Sequence, residues 1–378
     1  MDIELTEEQR IIQATMRDFA QNELEPAAEE IDLTEEFARK NFKRMAELGL
    51  TGMTIPAEYG GSGSDELSLA IAVEEIARAC ASTADILDAH LVLCAALISH
   101  WGTKEQKQRY LPSLVKGERV GAFAVTEPDA GSDIGRIRTK AEKDGDDYIL
   151  NGQKTFITNG DVCDVVVVFA GIPELAPRGM TAFIVEEGMN GFSKGKKFKK
   201  LGMHGATNAE LYFEDCRVPA ANRIGADGKG MKICLSTLDY GRIGIAAQAV
   251  GIAQATLDKC AQYAKTRVQF GGPISDNQAI SSKLADMATE IEAARLLTYK
   301  AAYLADKGQA FGKNAAMAKL FASELAMRVT TWGIQIFGGY GYMMEYPVQR
   351  YFRDAKLTEI YEGTSEIQRL VIARSVLS

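Results

Sequence analysis

The chain has 378 residues, of which 46% are apolar and 25% charged, a balance typical of a globular protein with two or three cores. Its net charge of -8 argues against a general nucleic-acid-binding protein, because no overall cationic field is present to attract phosphates. Six cysteines without a CxxC pair predict reduced thiols, and three histidines without metal-binding spacing argue against a metalloenzyme.

The N-terminal region, residues 1–120, has the apolar periodicity of helices. Residues 6–9 (TEEQ) and 103–106 (TKEQ) match the capping box, in which Thr and Gln satisfy backbone N–H groups at a helix start. The apolar stretch Leu67–Ile98 predicts two helices joined by a turn at CASTAD. The N-terminus lacks a signal-peptide pattern, and no stretch approaches the ~20 apolar residues that span a bilayer. We therefore expect a soluble, cytoplasmic protein.

Residue 121 begins a region in which apolar residues alternate with a period of two. The runs rich in β-branched and aromatic residues are AFAVTE, YILNGQKTFITN, DVVVVFAG, MTAFIVEE and AELYFEDCRVP. Asn151-Gly152, placed between YIL and QKTFIT, predicts a hairpin turn. These patterns together predict a small antiparallel β domain over residues 121–228.

Helical periodicity returns after Gly230, and the helices are long. Apolar residues from Ile280 to Leu304 recur at intervals of three and four, which predicts a helix over Gln278–Asp306. Its alanines permit close approach of neighbouring helices, as in a bundle. The predicted fold class is therefore α+β: an N-terminal helical domain (1–120), a central antiparallel β domain (121–228) and a C-terminal four-helix-bundle domain (229–378), with the outer helical parts packed together.

Several loops carry residues that could act on a ligand. The chain has neither GxGxxG nor a P-loop, so no Rossmann or P-loop nucleotide site is indicated. The glycine-rich segment Gly338–Tyr342 and the polar segment Thr126–Asp133 are each explained by an ordinary loop or by a ligand contact. Glu362, in IYEGTSEIQR, precedes a predicted helix start. It either complements the helix dipole or is directed at a ligand.

These loops occur together and in a fixed order. The quoted segments are TEPDAGSD, FITNG, LDYGRIGIAAQA, RVQFGGP, IQIFGGYGY, EYPVQRYFRDAK and IYEGTSEIQR. On these segments the sequence closely resembles the acyl-CoA dehydrogenase family, most closely its short-chain, butyryl-CoA-type branch, nearly from end to end. The resemblance implies two helical domains around a β domain, FAD as cofactor, and an acyl-CoA substrate. It also implies a homotetramer (a dimer of dimers) and an electron-transferring flavoprotein as electron acceptor.

The resemblance implies a role for each residue that matches a family motif. Phe156, Ile157 and Thr158 would lie against the isoalloxazine ring, and other residues would hold the pyrophosphate and adenosine, partly across a subunit interface. The implied FAD contacts are Phe123, Val125, Thr126, Gly131, Ser132, Phe156, Ile157, Thr158, Arg267, Gln269, Phe270, Gln278, Gln335, Gly338, Gly339, Thr364 and Glu366. The implied substrate contacts are Ser132, Asp239, Arg242, Gly363 and Arg374.

The resemblance also makes Glu362 the base that removes the α proton of the acyl thioester. A carboxylate can do this only where apolar surroundings raise its pKa toward that of the weakly acidic C–H group. In the family, the backbone N–H of the matching residue and a ribityl hydroxyl of FAD stabilise the thioester oxyanion, and one such donor contributes ~2.7–4 kcal/mol. The β hydride passes to the flavin, since no side chain can accept it.

Two places depart from the family pattern. In LGMHGATNAELYFED the family usually has arginine at His204, serine at Ala206 and threonine at Asn208. His204 is then either a surface substitution or a changed contact near the cofactor. The second departure is Asp88, where the short-chain branch typically carries a small residue such as serine.

Asp88 has two interpretations. It is an ordinary hydrogen-bonded or exposed aspartate, or it is a second catalytic carboxylate in the acyl pocket. The second role would be either a base acting further along the acyl chain or a binder of a polar group on the substrate. An aspartate facing an aliphatic tail would cost desolvation energy without return, so that role suits an unusual acyl group such as an alicyclic ring.

Three functions remain open from the sequence. The leading one is an FAD-dependent acyl-CoA dehydrogenase, with an alicyclic-acyl dehydrogenase as a variant. The second is an acyl-CoA oxidase or reductase with the same fold. The third is a non-catalytic family member that acts as an assembly partner, against which the retained Glu362 and the full set of flavin motifs argue.

Overall fold

The computed structural model describes residues 4–377. Residues 1–3, which begin the N-terminal segment that lacks a signal-peptide pattern, lie outside this range. The helices of the N-terminal region are α1 (Glu7–Phe19), α2 (Glu25–Thr34), α3 (Arg39–Glu47), α4 (Glu66–Ala79), α5 (Ala81–Leu87), α6 (Ala96–Trp101) and α7 (Lys104–Val115). Both predicted capping boxes are confirmed, because Thr6 pairs with Gln9 and Thr103 with Gln106 in both directions.

The helical segment from α5 to α6 crosses the centre of the protein. It is separated from α4 by the single extended residue Cys80, so the turn predicted at CASTAD is much shorter than the pattern indicated. A π-helical stretch, Asp88–Ala95, joins α5 to α6. The segment Ala81–Trp101 is long and apolar enough to cross a membrane, and it is the one such segment within residues 4–377. This corrects the expectation that no stretch of the sequence approaches the length needed to span a bilayer. The apolar window of Ala81–Trp101 is wholly buried inside the fold, as in a core helix.

The central region forms a mixed sheet. Within the described residues it has eight strands in the order β6-β7-β3-β2-β4-β5-β8, with β1 beside β4. The strands are β1 (Gly121–Ala124), β2 (Lys140–Asp144), β3 (Asp147–Thr158), β4 (Val165–Gly171), β5 (Met180–Glu186), β6 (Phe192–Lys197), β7 (Asn208–Pro219) and β8 (Arg223–Ile224). The pairs are antiparallel as predicted, except that β1 and the first residue of β2 pair with β4 in parallel.

Strand β4 explains how the sheet joins two cores. Successive side chains of a strand point to opposite faces, and β4 is apolar on both. Val165, Val167 and Phe169 belong to the core shared with the helices, whereas Val166 and Val168 belong to a second core within the β region. A continuous run of valines is the expected sequence for a strand buried on both faces.

The hairpin predicted at Asn151-Gly152 is wrong. Both residues lie inside β3, and the turn between β2 and β3 falls at Gly145-Asp146 instead. Gly152 has φ 150° next to a β-bulge against β7. An ideal Cβ on Gly152 would lie 2.6 Å from the Cα of Thr139. The glycine therefore permits close backbone approach at a bulge rather than a turn.

The C-terminal region returns to helices. They are α8 (Gly230–Thr266), α9 (Gln278–Asp306), α10 (Gly312–Phe337), α11 (Pro347–Thr358) and α12 (Ser365–Leu377), with the short strands β9 (Val268–Gln269) and β10 (Gly272–Pro273) after α8. The predicted bounds of α9 are confirmed, and Asn277 caps its start by accepting from the Ala279 N–H at 2.9 Å. An ideal Cβ on Gly251 of α8 would lie 2.4 Å from the Glu74 carbonyl oxygen of α4. The two helical regions therefore pack together closely, as predicted.

The changes in secondary structure give natural divisions of the chain. Helix gives way to strand between Val115 and Gly121, and strand to helix between Ile224 and Gly230. We propose domain boundaries near residues 120 and 228, which divide the chain into 1–120, 121–228 and 229–378.

Candidate active site

A cleft of about 480 Å³ opens where the helical core meets the β region. Its walls come from α5 and the π-helical stretch, from the first half of α8, from β1 and the loop after it, from the end of β3, and from α12 with the segment before it. The sequence-predicted residues that line it are Asp88, Phe123, Val125, Thr126, Gly131, Ser132, Phe156, Ile157, Thr158, Arg242, Glu362, Gly363 and Arg374. The structure thus gathers most of the predicted catalytic, flavin and substrate positions at one place.

Glu362 is held in a strained loop at the inner end of this cleft. Its φ is 52° and that of the next residue, Gly363, is 94°. A left-handed conformation in a residue other than glycine costs ~1–3 kcal/mol and persists where surrounding contacts enforce it. The side-chain amide of Gln368 donates to the carbonyl oxygens of Glu362 (3.1 Å) and Gly363 (2.8 Å). Lys319 Nζ donates to the Gly363 carbonyl oxygen at 2.8 Å.

Tyr361, the residue before Glu362, ties this loop to two helices. Its hydroxyl donates to the side-chain oxygen of Gln248 in α8. Gln248 Nε2 in turn donates to the Ala81 carbonyl oxygen at the start of α5 at 2.8 Å. The loop is therefore fixed from both sides. The backbone N–H of Glu362 makes no hydrogen bond within residues 4–377.

Two glycines of α8 make the room that Glu362 and Asp88 occupy. An ideal Cβ on Gly241 would lie 2.0 Å from Oε2 of Glu362, and one on Gly244 would lie 2.2 Å from Oδ1 of Asp88. The glycines are three residues apart, so they share one face of the helix. Both carboxyl groups therefore rest directly against the α8 backbone.

The surroundings of Glu362 favour a base that works near neutral pH. Burial raises the pKa of Glu362 to about 7, against the opposing effects of a hydrogen bond from Asp88 and of the positive charges of Lys319 and Arg242. A general base is most effective when its pKa is close to the working pH. The same burial lowers the pKa of Lys319 to about 8.

Asp88 opens the π-helical stretch and contacts Glu362. Burial raises its pKa well above the ordinary value, and the adjacent Glu362 raises it further. Asp85, one turn earlier, also lines the cleft, and burial raises its pKa to about 6. Short π-helical segments are frequent at functional sites. Asp88 is thus buried, and its Oδ1 has no hydrogen-bond partner within residues 4–377.

The end of β3 forms another wall of the cleft. Phe156 is 63% exposed although apolar, and its φ is 58°. Asn208 Nδ2 holds this edge by donating to the Phe156 carbonyl oxygen (3.2 Å) and to Thr158 Oγ1 (2.9 Å). A strained, exposed aromatic ring beside a buried carboxylate fits a flat ring system such as a flavin. Asn208, one of the departures from the family pattern, supports that edge.

A buried ion pair fixes the loop after β1. Lys154 Nζ is fully buried, and it donates to Glu127 (2.8 Å) and to the Val125 carbonyl oxygen (3.0 Å). Glu127 also accepts from the backbone N–H of Thr139 at 2.9 Å. Removing one partner of such a pair would leave a buried charge without compensation. The start of the loop TEPDAGSD is therefore anchored to β3 through Glu127.

His204 is absent from the lining of the cleft and is largely buried. Its Nδ1 lies 2.8 Å from the Asp32 carbonyl oxygen, and its Nε2 lies 2.9 Å from the Lys200 carbonyl oxygen. Only a protonated ring can donate to both acceptors. The Asp32 carboxylate lies 3.0 Å from Nδ1 and also pairs with Arg353. Hydrogen bonding to Asp32 raises the pKa of His204 to about 9.

Ala206, which also departs from the family pattern in this segment, is fully buried.

The His204–Asp32 contact gives a prediction for stability. The folded pKa of His204 lies above the ordinary 6.5, so its contribution is complete below pH 6.5 and disappears as the pH rises through 9. A hydrogen bond to a charged group contributes ~1.5–3 kcal/mol. We expect His204→Gln to lower the free energy of unfolding in urea by about that amount at pH 6 and by much less at pH 10. An equal loss at both pH values would contradict a charged His204.

The remaining predicted residues lie outside the cleft. Arg267, Gln269, Gly338 and Gly339 line a second cavity of about 500 Å³ that shares no lining residue with the cleft. The residues in neither cavity are Asp239, Phe270, Gln278, Gln335, Thr364 and Glu366. Phe270, Gln278, Gln335 and Glu366 are exposed. The single chain therefore does not unite the two predicted groups of FAD contacts.

Two of these residues have contacts of their own. Asp239 forms an ion pair with Arg242 at 2.5 Å and so positions a residue that lines the cleft. Thr364 accepts from the Ile367 N–H at 3.4 Å at the start of α12.

Sequence reasoning missed several residues that shape the cleft. Gly241 and Gly244 stand in the quoted segment LDYGRIGIAAQA, and two glycines three apart in a long helix signal close approach by another group. Lys319 and Gln248 carry no local signal, because their partners are distant in the chain.

Comparisons with known proteins agree with this geometry. Family models described as the N-terminal, middle and C-terminal domains of acyl-CoA dehydrogenase match residues 6–118, 122–216 and 228–377. The chain is 51% identical to a short-chain-specific acyl-CoA dehydrogenase of Clostridium acetobutylicum, over all of both chains. It is 53% identical to an NADH-dependent acryloyl-CoA reductase of Anaerotignum propionicum, covering all of this chain and 96% of the relative.

Solved structures give the same result. Butyryl-CoA dehydrogenase from Megasphaera elsdenii superposes with a TM-score of 0.98 and 48% identity over the whole of both chains. A chain from a structure described as the electron transferring flavoprotein of Acidaminococcus fermentans superposes with a TM-score of 0.98 and 49% identity, again over both whole chains. The predicted fold of two helical regions around a β region is confirmed. On these matches the chain belongs to the acyl-CoA dehydrogenase family.

Proposed function

We propose that this protein oxidises a short-chain acyl-CoA thioester to the α,β-unsaturated thioester, with Glu362 as base and FAD as hydride acceptor. The observation that carries the proposal is one cleft lined both by a buried carboxylate of raised pKa and by the exposed end of β3. The identity to a short-chain-specific dehydrogenase supports the acyl length. It favours a short linear acyl group over the alicyclic variant, and the complete cleft argues against a non-catalytic assembly partner.

The reaction needs a base on one side of the acyl chain and a two-electron acceptor on the other. Bound FAD supplies the acceptor for the β hydride. The Glu362 carboxylate takes the α proton, and the electron pair of that C–H bond forms the new double bond. Lys319 and the Gln368 amide hold the Glu362–Gly363 backbone, so that the carboxylate is oriented before substrate binds.

The free backbone N–H of Glu362 suits the role of oxyanion donor. Negative charge develops on the thioester oxygen as the α proton leaves, and a fixed donor at that position lowers the barrier. No acceptor within residues 4–377 uses this N–H. The left-handed backbone of Glu362 thus presents its N–H and its carboxylate from one residue.

A basic groove supports CoA as the carrier of the acyl group. A cavity of about 950 Å³ shares Gly135, Met231 and Leu235 with the cleft. The cationic residues that line it are Arg138, Lys140, Arg178, Lys229 and Lys232. A long, thin ligand with an anionic phosphate end fits a deep cleft continued by a cationic groove.

The flavin contacts are proposed for the residues that the sequence assigned. Phe156, Ile157 and Thr158 would face the ring, and the loop Phe123–Ser132 would line it. The second cavity, with Arg267 and its neighbours, would hold the pyrophosphate and adenosine of an FAD shared with another subunit. This division of one cofactor between two separate cavities supports the homotetramer, a dimer of dimers, expected from the resemblance.

The electron partner and direction are proposed from the relatives. The match to a chain in a structure described as an electron transferring flavoprotein supports such a flavoprotein as electron acceptor. The match to an acryloyl-CoA reductase supports reduction of an enoyl thioester as a second candidate, since the same cleft would serve both directions. We propose a cytoplasmic location.

A panel of CoA thioesters tests the proposed substrate. Anaerobic addition of acetyl-, butyryl-, isobutyryl-, octanoyl- and cyclohexanecarboxyl-CoA to the FAD-loaded protein is followed as loss of flavin absorbance. We expect butyryl-CoA to bleach the flavin fastest. Fastest bleaching by the octanoyl or alicyclic thioester would overturn the short-chain assignment, and rapid reoxidation by air would favour an oxidase.

A further inference from the structure

Glu362 and Asp88 form a pair of buried carboxyl groups in direct contact. They rest against Gly241 and Gly244 of one α8 face, and each carboxyl group acts directly on the pKa of the other. Oδ1 of Asp88 and Oε2 of Glu362 meet no donor group elsewhere in residues 4–377. Two carboxylates this close cannot both be ionised at neutral pH without a large repulsion. The pair therefore holds one proton.

The charges around the pair decide which carboxyl holds that proton. Lys319 of α10 and Arg242 of α8 face Glu362 and stabilise its negative charge. Asp85 raises the pKa of both carboxyl groups, whereas the other group outside the pair that acts on Asp88, Glu66 at the start of α4, is also acidic and raises the pKa of Asp88 further. The proton is therefore better placed on Asp88.

More distant charges do not change this assignment. Lys200 lowers the pKa of Asp85, and Asp354 of α11 raises it, so their effects on Asp85 oppose each other. Tyr361 borders the pair from the loop before α12, and burial raises its pKa well above the ordinary value, so that it remains neutral.

We propose that Asp88 is a neutral carboxylic acid that donates a hydrogen bond to the Glu362 carboxylate, and that it acts as a positioning residue for the base. This inference rests on the proposed function of Glu362. A buried carboxylic acid kept neutral so that it can donate is an established device of enzyme sites. The donated bond orients the Glu362 carboxylate and keeps it ionised, which a base requires.

The proton count of the cleft then changes during turnover. Before the reaction the pair holds one proton, on Asp88, and carries one negative charge. When Glu362 accepts the α proton, the pair holds two protons and is neutral. The Asp88 proton itself is not transferred to substrate.

The hydrogen bond predicts a specific pH behaviour. The pKa of Glu362 is raised to about 7 because burial raises it more than interaction with Asp88 and the nearby positive charges lower it. Glu362 is a base only when ionised, so the rate of flavin reduction rises as the pH increases through its pKa. Without the donor this pKa rises, and the acid limb of the pH profile moves to higher pH.

Three variants separate this role from a merely structural one. Asp88→Asn keeps a neutral donor of the same shape, so its acid limb is expected at the wild-type pH. Asp88→Ala removes the donor, and we expect its limb to move up by about one pH unit, with ~10-fold slower reduction at pH 6. Asp85→Asn, the matched control one turn away, removes a neighbouring negative charge but not the donor. The acid limb of its pH profile is expected at or below the wild-type pH.

Two outcomes would overturn the proposal. One is an acid limb of Asp88→Ala at the wild-type pH, and the other is an equal shift of the acid limb in both Asp88 variants.

Infrared spectroscopy tests the pair without any substrate. At pH 8 the wild type minus Asp88→Asn difference spectrum is expected to contain the C=O band of a protonated carboxylic acid. Its absence would place the proton elsewhere and refute the proposal, even if the variants fold poorly. If no thioester bleaches the flavin, the proposed function fails, while the infrared result still decides the state of Asp88.

Discussion

Glu362→Gln is expected to bind FAD and CoA thioesters but not to bleach the flavin when butyryl-CoA is added anaerobically. Glutamine has nearly the same shape and keeps the backbone N–H, so the loop held by Lys319 and Gln368 remains. It cannot accept the α proton. General-base catalysis contributes ~10²–10⁴-fold, and we expect flavin reduction to slow by at least that factor.

The control for this variant is binding. Spectral perturbation of the flavin by a non-oxidisable CoA thioether, measured for wild type and Glu362→Gln, is expected to give dissociation constants within a few-fold of each other. Bleaching of Glu362→Gln at the wild-type rate would move the base to another residue, and Asp88 would be the first to test.

Gly241→Ala is expected to abolish most activity without destabilising the fold. The new Cβ would lie 2.0 Å from Oε2 of Glu362, so the carboxylate must move. The atom displaced is the end of a flexible side chain, and alanine in a helix interior is favoured over glycine by ~0.5–1 kcal/mol. A base misplaced by about 1 Å can cost ~100-fold in rate. Flavin reduction and urea unfolding are measured on the same preparation.

Gly251→Ala is the matched comparison on the same helix. Its Cβ would lie 2.4 Å from the Glu74 carbonyl oxygen, which is backbone and cannot swing away. Overpacking of this kind costs ~1–3 kcal/mol, so this variant should lose stability. If Gly241→Ala instead unfolded as easily as Gly251→Ala, or reduced its flavin as fast as wild type, the account of Gly241 as space for the base would be wrong.

The elements that sequence reasoning placed well are those with strong local signals. The capping boxes at Thr6 and Thr103 depend on neighbours three residues away. The hairpin error at Asn151-Gly152 has the opposite cause. The glycine there is required by Thr139, a residue on another segment, and no local pattern separates that need from a turn.

The candidate site likewise has features that the sequence displays locally and features that depend on residues distant in the chain. The resemblance located Glu362 and the wall at Phe156–Thr158, because those motifs are contiguous. The contacts that give Glu362 its properties come from α8 and α10, distant in the chain, and a sequence does not display such contacts. His204 shows the same limit: its pairing with Asp32 joins residues 172 positions apart.

One anaerobic titration tests the central claim most directly. Butyryl-CoA is added stepwise to the FAD-loaded wild type, while the flavin absorbance and the CoA products are measured together. We predict that the flavin bleaches fully and that one equivalent of the α,β-unsaturated thioester forms per flavin reduced. An unchanged flavin spectrum, with butyryl-CoA recovered intact at saturating concentration, would contradict the assignment of Glu362 and the cleft to acyl-CoA dehydrogenation.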